Sequence, residues 1–265
     1  MTSLPTQVLD PLRHRYDDWL ALDEHGVVDD RAEAAQDVRA LQLVVRMERD
    51  STPSWHAAVA LSASAAVAVC LDPRSAAGGA WHEAVTAYCT GHIRKVTRRA
   101  RGAHWGAVQE LPGITLGCGD TQVRALVPGR AVDLDKRVSR LQVGGTDAPH
   151  DGRPVAPDGP TLRMWLPPQP PMTLGKSMAQ TGHAAMIGAA LLAEADPGAL
   201  ARWAGAGYPA YGIRADATTW RELAGMLADP QRAWRDARLL AVRDAGFTEI
   251  APGTLTVIAQ APASG

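Results

Sequence analysis

Apolar positions along the chain fall into short blocks with two rhythms. Leu41 to Met47, LQLVVRM, is a near-continuous run of aliphatic and β-branched residues, the pattern of a buried strand. Trp55 to Cys70 is alanine-rich and apolar on most faces, which predicts a buried helix. A loop over Pro73 to Gly79 leads to a predicted helix from Ala80 to Arg101, whose later turns, IRKVTRRAR, are strongly basic. Val123 to Val127 reads as a strand, and Asp133 to Val143 as a tail. Gly144 to Pro160, GGTDAPHDGRPVAPDGP, has almost no apolar content and reads as a linker. Beyond it the blocks resume. Strands are predicted at Leu162–Leu166, Ala210–Ala215, Ala237–Arg243 and Thr254–Gln260. Helices are predicted at Lys176–Glu194, Leu200–Trp203 and Thr219–Leu227, the last capped by Thr218 or Thr219.

The two stretches read as repeats. LQLVVRM answers LRMWLP, the helix from Trp55 answers that from Lys176, WHEAVTAY at Trp81 answers WRELAGML at Trp220, and VRALV answers LTVIA. The short helix and strand of 200–215 have no evident counterpart in the first copy. The expected fold is a duplicated three-layer α/β sandwich, each copy with a mixed four-stranded sheet. The expected division is an acidic extension over 1–38, a first domain over 39–145, a linker over 146–160 and a second domain over 161–265.

Composition narrows the classes. At 46% hydrophobic and 21% charged residues, the chain is not of disordered type. No apolar run approaches the ~18 residues of a membrane span, and the N-terminus lacks a basic segment followed by an apolar one. Cys70, Cys89 and Cys118 are odd in number and widely spaced, which suits a reducing cytoplasm. Abundant alanine and arginine with little lysine points to a GC-rich genome. The net charge of −1 hides an asymmetry. Residues 1–38 hold 3 Arg against 9 Asp and Glu, net −6, and residues 39–145 hold 14 Lys and Arg against 8 acids, net +6. A basic segment of that kind fits a polyanion or a solvated charged face.

Chemistry concentrates in two segments. GKSMAQTGHAA, from Gly175, opens a helix, and DAGFTEIAPGT, from Asp244, follows a strand. Residues four and seven apart share a helix face, so Lys176, Gln180 and His183 form one polar stripe on an apolar helix. Lys176 lies in the first turn, where the helix dipole disfavours a cation. An anion nearby resolves the conflict, and Asp244 is the candidate. Each feature alone is commonplace: a solvated lysine, a core histidine, a turn with Gly246 at positive φ.

Together, GK-x-x-AQ-x-x-HAA and, some sixty residues later, DAG-x-T-x-I-x-PG-T-x-T-V resemble the signature pair of the type II peptidyl-tRNA hydrolases, the archaeal and eukaryotic class. The resemblance covers about residues 162–262. It implies hydrolysis of the ester joining peptide to tRNA, with Lys176, Gln180, Asp244 and Thr248 catalytic, His183 and Gly246 supporting, and tRNA as partner. It implies no cofactor, no metal and a cytoplasmic setting. Two positions depart from the family pattern. Leu174 stands where the family usually has a second lysine, and YPAYGIRAD offers only Arg214 for a basic strand residue. The first copy reads as degenerate, with His56 in the place of Lys176 and Ala60 in that of Gln180. Because the family is commonly dimeric, the copies are expected to pack as a pseudo-dimer within one chain, a homodimer being the other arrangement. Arg94, Lys95, Arg98, Arg99 and Arg101 would then contact tRNA phosphates, or else form an exposed helix face.

The sequence argues against three rival chemistries. LGKS is not a phosphate loop, because Pro170 stands where a glycine is required. No C-x-x-C or H-x-x-x-H pair favours zinc, and no G-x-S-x-G favours a serine nucleophile. The alternative of another class is a non-catalytic module that binds tRNA or protein.

Overall fold

The computed structural model describes residues 3–16, 33–34, 36–152, 154–244 and 250–263. Most of the acidic extension, with Gly246 and Thr248 of the second motif, therefore lies outside the described residues. In chain order the first half contains α1 (Asp10–His14), β1 (Arg39–Arg46), α2 (Trp55–Leu71), α3 (His82–Thr90), β2 (Arg94–Ala100), α4 (Gly102–Gln109), β3 (Gly113–Cys118), β4 (Thr121–Leu126), β5 (Gly129–Arg130) and α5 (Lys136–Ser139). The second contains β6 (Leu162–Leu166), α6 (Leu174–Ala195), α7 (Pro197–Gly205), β7 (Ala210–Arg214), α8 (Ala217–Met226), α9 (Pro230–Ala237), β8 (Leu239–Arg243) and β9 (Leu255–Gln260).

Each half builds a mixed sheet of one topology. The strand orders are β2-β1-β4-β3 and β7-β6-β9-β8. In both, the first pair is parallel and the other two are antiparallel. The short β5 adds to β1. Strand alternation sorts side chains to two faces. Leu41, Leu43 and Val45 of β1, and Leu162, Met164 and Leu166 of β6, join one core with α2 and α6. Each such buried leucine or methionine stabilises by about 2 kcal/mol. On the outer faces, Val44 packs with Trp105 and Val138 from α4 and α5, and Ile258 packs with Trp220 and Ala233 from α8 and α9. Each sheet is thus covered on both sides, and the two three-layer sandwiches share their middle helices. This explains the alanine-rich α2: a helix walled by two sheets and a second helix has no polar face to keep.

The halves interlock at the centre. The Thr181 hydroxyl on α6 donates to the Val59 carbonyl on α2 at 3.0 Å, and that of Ser64 on α2 donates to the Tyr208 carbonyl at 2.7 Å. Gly212 on β7 faces α2 so closely that a Cβ there would lie 2.8 Å from Val59 Cγ2.

Several sequence expectations change. The predicted helix over Ala80–Arg101 stops at Thr90, closed by Gly91, and its basic continuation is the strand β2. In a strand, Val96 and Thr97 gain the β-branched preference they lack in a helix. With that change the repeat alignment shifts. By position in the sheets, α3 and β2 correspond to α7 and β7, so the first half lacks neither. The counterpart of the Trp220 helix is the Trp105 helix α4, not the segment at Trp81. β3 and α9 were not expected, and the cap of α8 is Asp216, which accepts from Thr218 N and Thr219 N, each at 2.9 Å.

Candidate active site

Helix α6 begins where Thr173 caps it, its hydroxyl accepting from Lys176 N at 3.2 Å. Loop 167–173 and the linker fix this end. Gly175 N donates to Thr146 O at 2.9 Å, and Leu174 N to Asp147 Oδ1 at 3.2 Å. At the far end of β8 the chain turns, and Asp244 is held by its backbone. Asp244 N donates to Thr254 O at 2.9 Å and Gly253 N donates to Asp244 O at 2.8 Å.

These two anchors bring the motifs together. Lys176 Nζ donates to Asp244 Oδ1, and Gln180 Nε2 donates to the same oxygen at 2.9 Å. The Lys176 and Asp244 side chains are only 10% and 5% exposed. A pair so little hydrated relies on mutual attraction and hydrogen bonds to remain charged. Gln180 is oriented from behind: Thr256, wholly buried on β9, donates to Gln180 Oε1 at 2.7 Å. That bond turns the amide NH2 toward the carboxylate. Thr256 is a member of this cluster that sequence reading did not single out. The signal was one hydroxyl in the otherwise apolar strand LTVIA.

His183 follows on the same face of α6. Burial, then the nearby cations of Lys95 and Lys176, push its imidazole well below the usual range, so the ring is neutral at pH 7. Ser177 is buried, and its Oγ has no hydrogen-bond partner among the described residues, so no base activates it.

The predicted basic run does not form one surface. Arg94 pairs with Glu33. Lys95 points inward, its Nζ at 3.4 Å from His183 Nδ1 and 3.3 Å from both Tyr88 Oη and Ile93 O. Arg98 donates to Gln42 Oε1 at 2.8 Å and to Leu141 O at 2.9 Å. Arg99 lies beside Gly145, next to the Thr146 that touches the start of α6, and Arg101 is exposed.

The matching position in the first half is closed. His56, in the first turn of α2, sets Nδ1 at 2.8 Å from Gly212 O and Nε2 against Gly152 O of the linker, with Asp151 Oδ1 at 3.8 Å. Trp55 and His150 meet its ring edge to face. β3 and β4 are joined by a tight turn at Gly119–Asp120, whereas residues 244–254 join β8 and β9. That turn carries Asp120, which is exposed and is not among the groups around His56.

Fold and cluster together define an α/β protein whose ammonium, carboxylate and carboxamide converge at the strand ends of one sheet, a set able to orient water and stabilise an oxyanion. Residues 162–265 match the family model described as Peptidyl-tRNA hydrolase PTH2. The match spans the whole second sheet and less than half of the chain, and no family model covers the N-terminal half. No curated protein and no solved structure matches the chain. Among the described residues, no group of three His, Cys, Asp or Glu is placed to hold a metal ion, and no helix is long and apolar enough to cross a membrane.

Proposed function

We propose that this chain hydrolyses the ester bond of peptidyl-tRNA, releasing peptide and free tRNA, in the cytoplasm. The observation that carries the reading is the convergence of Lys176 and Gln180 on Asp244 Oδ1 inside the segment matched by the family model. Attack of water on the ester carbonyl needs an oriented water and a cation at the developing oxyanion. Asp244 orients the water, together with Thr248. Lys176 supplies the positive charge in a site largely shielded from solvent, where it acts more strongly than in water. Gln180, held by Thr256, positions the water or the carbonyl. The leaving group is a ribose hydroxyl, and no covalent intermediate is required.

The first half is a non-catalytic copy in this reading, and Arg99 and Arg101, on the side where α6 begins, contact tRNA phosphates. A second reading, a non-catalytic module that binds tRNA or protein, is favoured by Leu174, fully buried where the resembling family carries a lysine. The test is hydrolysis of N-acetylated aminoacyl-tRNA by the full chain and by Lys176→Ala. Turnover by the wild type with loss of at least about 1,000-fold in the variant is expected for an oxyanion-stabilising group. Full activity of Lys176→Ala removes the scheme, and an inactive wild type leaves the binding module.

A further inference from the structure

Lys95 stands out because its ammonium turns inward toward the other half, with no carboxylate partner among the described residues. It lies on β2, with its neighbours Thr97 and Arg99 facing the middle helices rather than the outer layer. Its stem crosses α6 at Gly182, where a Cβ would sit 2.9 Å from Lys95 Cδ. The glycine leaves the room that the lysine occupies. Burying an ammonium without a carboxylate is costly. Among the described residues, the titratable groups facing it are Tyr88 and Cys89 of α3, Cys70 of α2 and His183 of α6, with no carboxylate.

The three acceptors around Nζ are specific. Ile93 O is a carbonyl and can only accept. Tyr88 Oη commits its own proton to Ile93 O at 2.9 Å or Arg94 O at 3.1 Å, so toward Lys95 it accepts. That uses two of the three ammonium protons. The third points at His183 Nδ1, which must then carry a lone pair. A neutral imidazole with a bare Nδ1 is protonated on Nε2. The His183 Nε2 makes no hydrogen bond among the described residues and is not among the buried unpaired atoms, so it faces solvent. It lies on the stripe that holds Gln180, one turn back, and Lys176, about 10 Å back along the helix axis.

We propose that Lys95 is a positioning residue supplied by the first half to the site on the second: it holds His183 as the neutral Nε2–H tautomer, so that the ring offers one hydrogen-bond donor to substrate in the cleft beside Gln180 and Lys176. The catalytic use of that donor rests on the hydrolase reading; the tautomer lock does not. Burial pushes the Lys95 ammonium down to about 7, so near neutral pH the lock begins to open as Lys95 loses its proton.

The experiment has two arms on the full chain, wild type and Lys95→Met. Methionine keeps the volume and removes the charge, and thermal unfolding checks that the fold is kept. In the first arm, nitrogen-15 histidine spectra, with His183 assigned by His183→Asn, report the tautomer at about pH 6, below the Lys95 transition. The wild type is expected to show a bare Nδ1, and Lys95→Met a mixture of tautomers. A protonated Nδ1 in the wild type, or the same spectrum in both proteins, overturns the lock. In the second arm, hydrolysis of N-acetylated aminoacyl-tRNA is expected to lose about tenfold in kcat in Lys95→Met, the worth of one positioned hydrogen bond, with KM within about twofold. The wild-type decline in kcat above about pH 7 should be absent from the variant. Equal kcat and equal pH profiles overturn the catalytic use. A wild type without turnover ends the hydrolase reading and that use with it, while the spectra still decide the lock.

Discussion

Consider breaking the Lys176–Asp244 pair from each side and then from both. With side chains 10% and 5% exposed, the pair is shielded from solvent, where removing one partner takes from the other a counter-ion that water cannot replace. Asp244→Leu leaves the ammonium facing an apolar group and strips Gln180 Nε2 of its acceptor, which should cost about 3–5 kcal/mol for the charge and about 1 for the amide. Lys176→Met takes the ammonium from the carboxylate, keeps the Gln180 bond and should cost about 3 kcal/mol. The double variant places two apolar chains together and leaves only the amide short of a partner, about 1–3 kcal/mol. The singles should therefore sum to about 3 kcal/mol or more above the double, a coupling seen only between groups in contact. Urea unfolding of the four proteins, followed by tryptophan fluorescence with the slopes compared, measures it. Costs that add to within about 0.5 kcal/mol would refute the shared pocket, and the hydrolytic mechanism with it.

Thr256→Val removes the donor that turns Gln180. It should destabilise by about 1–2 kcal/mol and reduce hydrolysis of N-acetylated aminoacyl-tRNA at least about tenfold, and undiminished turnover would show that the amide needs no support. Gly212→Ala drives a Cβ to 2.8 Å from Val59 Cγ2 and should cost about 1–3 kcal/mol in urea unfolding. Val59→Ala in the same chain should recover most of that loss, and a silent Gly212→Ala would mean that α2 and β7 are not pressed together. Lys95 makes stability depend on pH with a definite sign. Its ammonium titrates near 7 when folded and near 10.5 when unfolded, so between those values the unfolded chain holds more protons and the wild type gains stability as pH rises. Lys95→Met should therefore raise Tm most at or below about pH 7 and gain nothing by about pH 10.5; a gain independent of pH would contradict it.

The strands at Leu41 and Leu162 and the buried α2 were legible because apolar pattern and burial coincide there. β2 was hidden. Its cations at 94, 95, 98 and 99 sit four apart in pairs, as on a helix, while the period of two is masked because both faces carry positive charge. The long stems of Arg and Lys make this possible, covering apolar surface or reaching partners well away from the backbone. The second-half cluster was legible as far as Lys176, Gln180 and Asp244, because cation, amide and acid on an apolar background have no cheap alternative to meeting one another. Thr256 was less so, since a threonine in a strand is ordinary. Lys95 was read as a phosphate contact because its real neighbour, His183, is 88 positions away and in the other half; no local pattern encodes such a contact.

The two halves share a topology, yet their corresponding sites have taken opposite courses. In the second, Asp244, directly after β8, brings a carboxylate to the start of α6. In the first, a tight turn joins the corresponding strands, and His56 at the start of α2 is covered by the linker. The linker serves both ends at once: Thr146 and Asp147 bond the first turn of α6, and Asp151 and Gly152 bond His56 on α2. One segment thus braces the start of α6 while covering His56 at the start of α2. The face of α6 turned away from its own sheet packs on α2 and β2, and buried residues of both halves form one hydrophobic core.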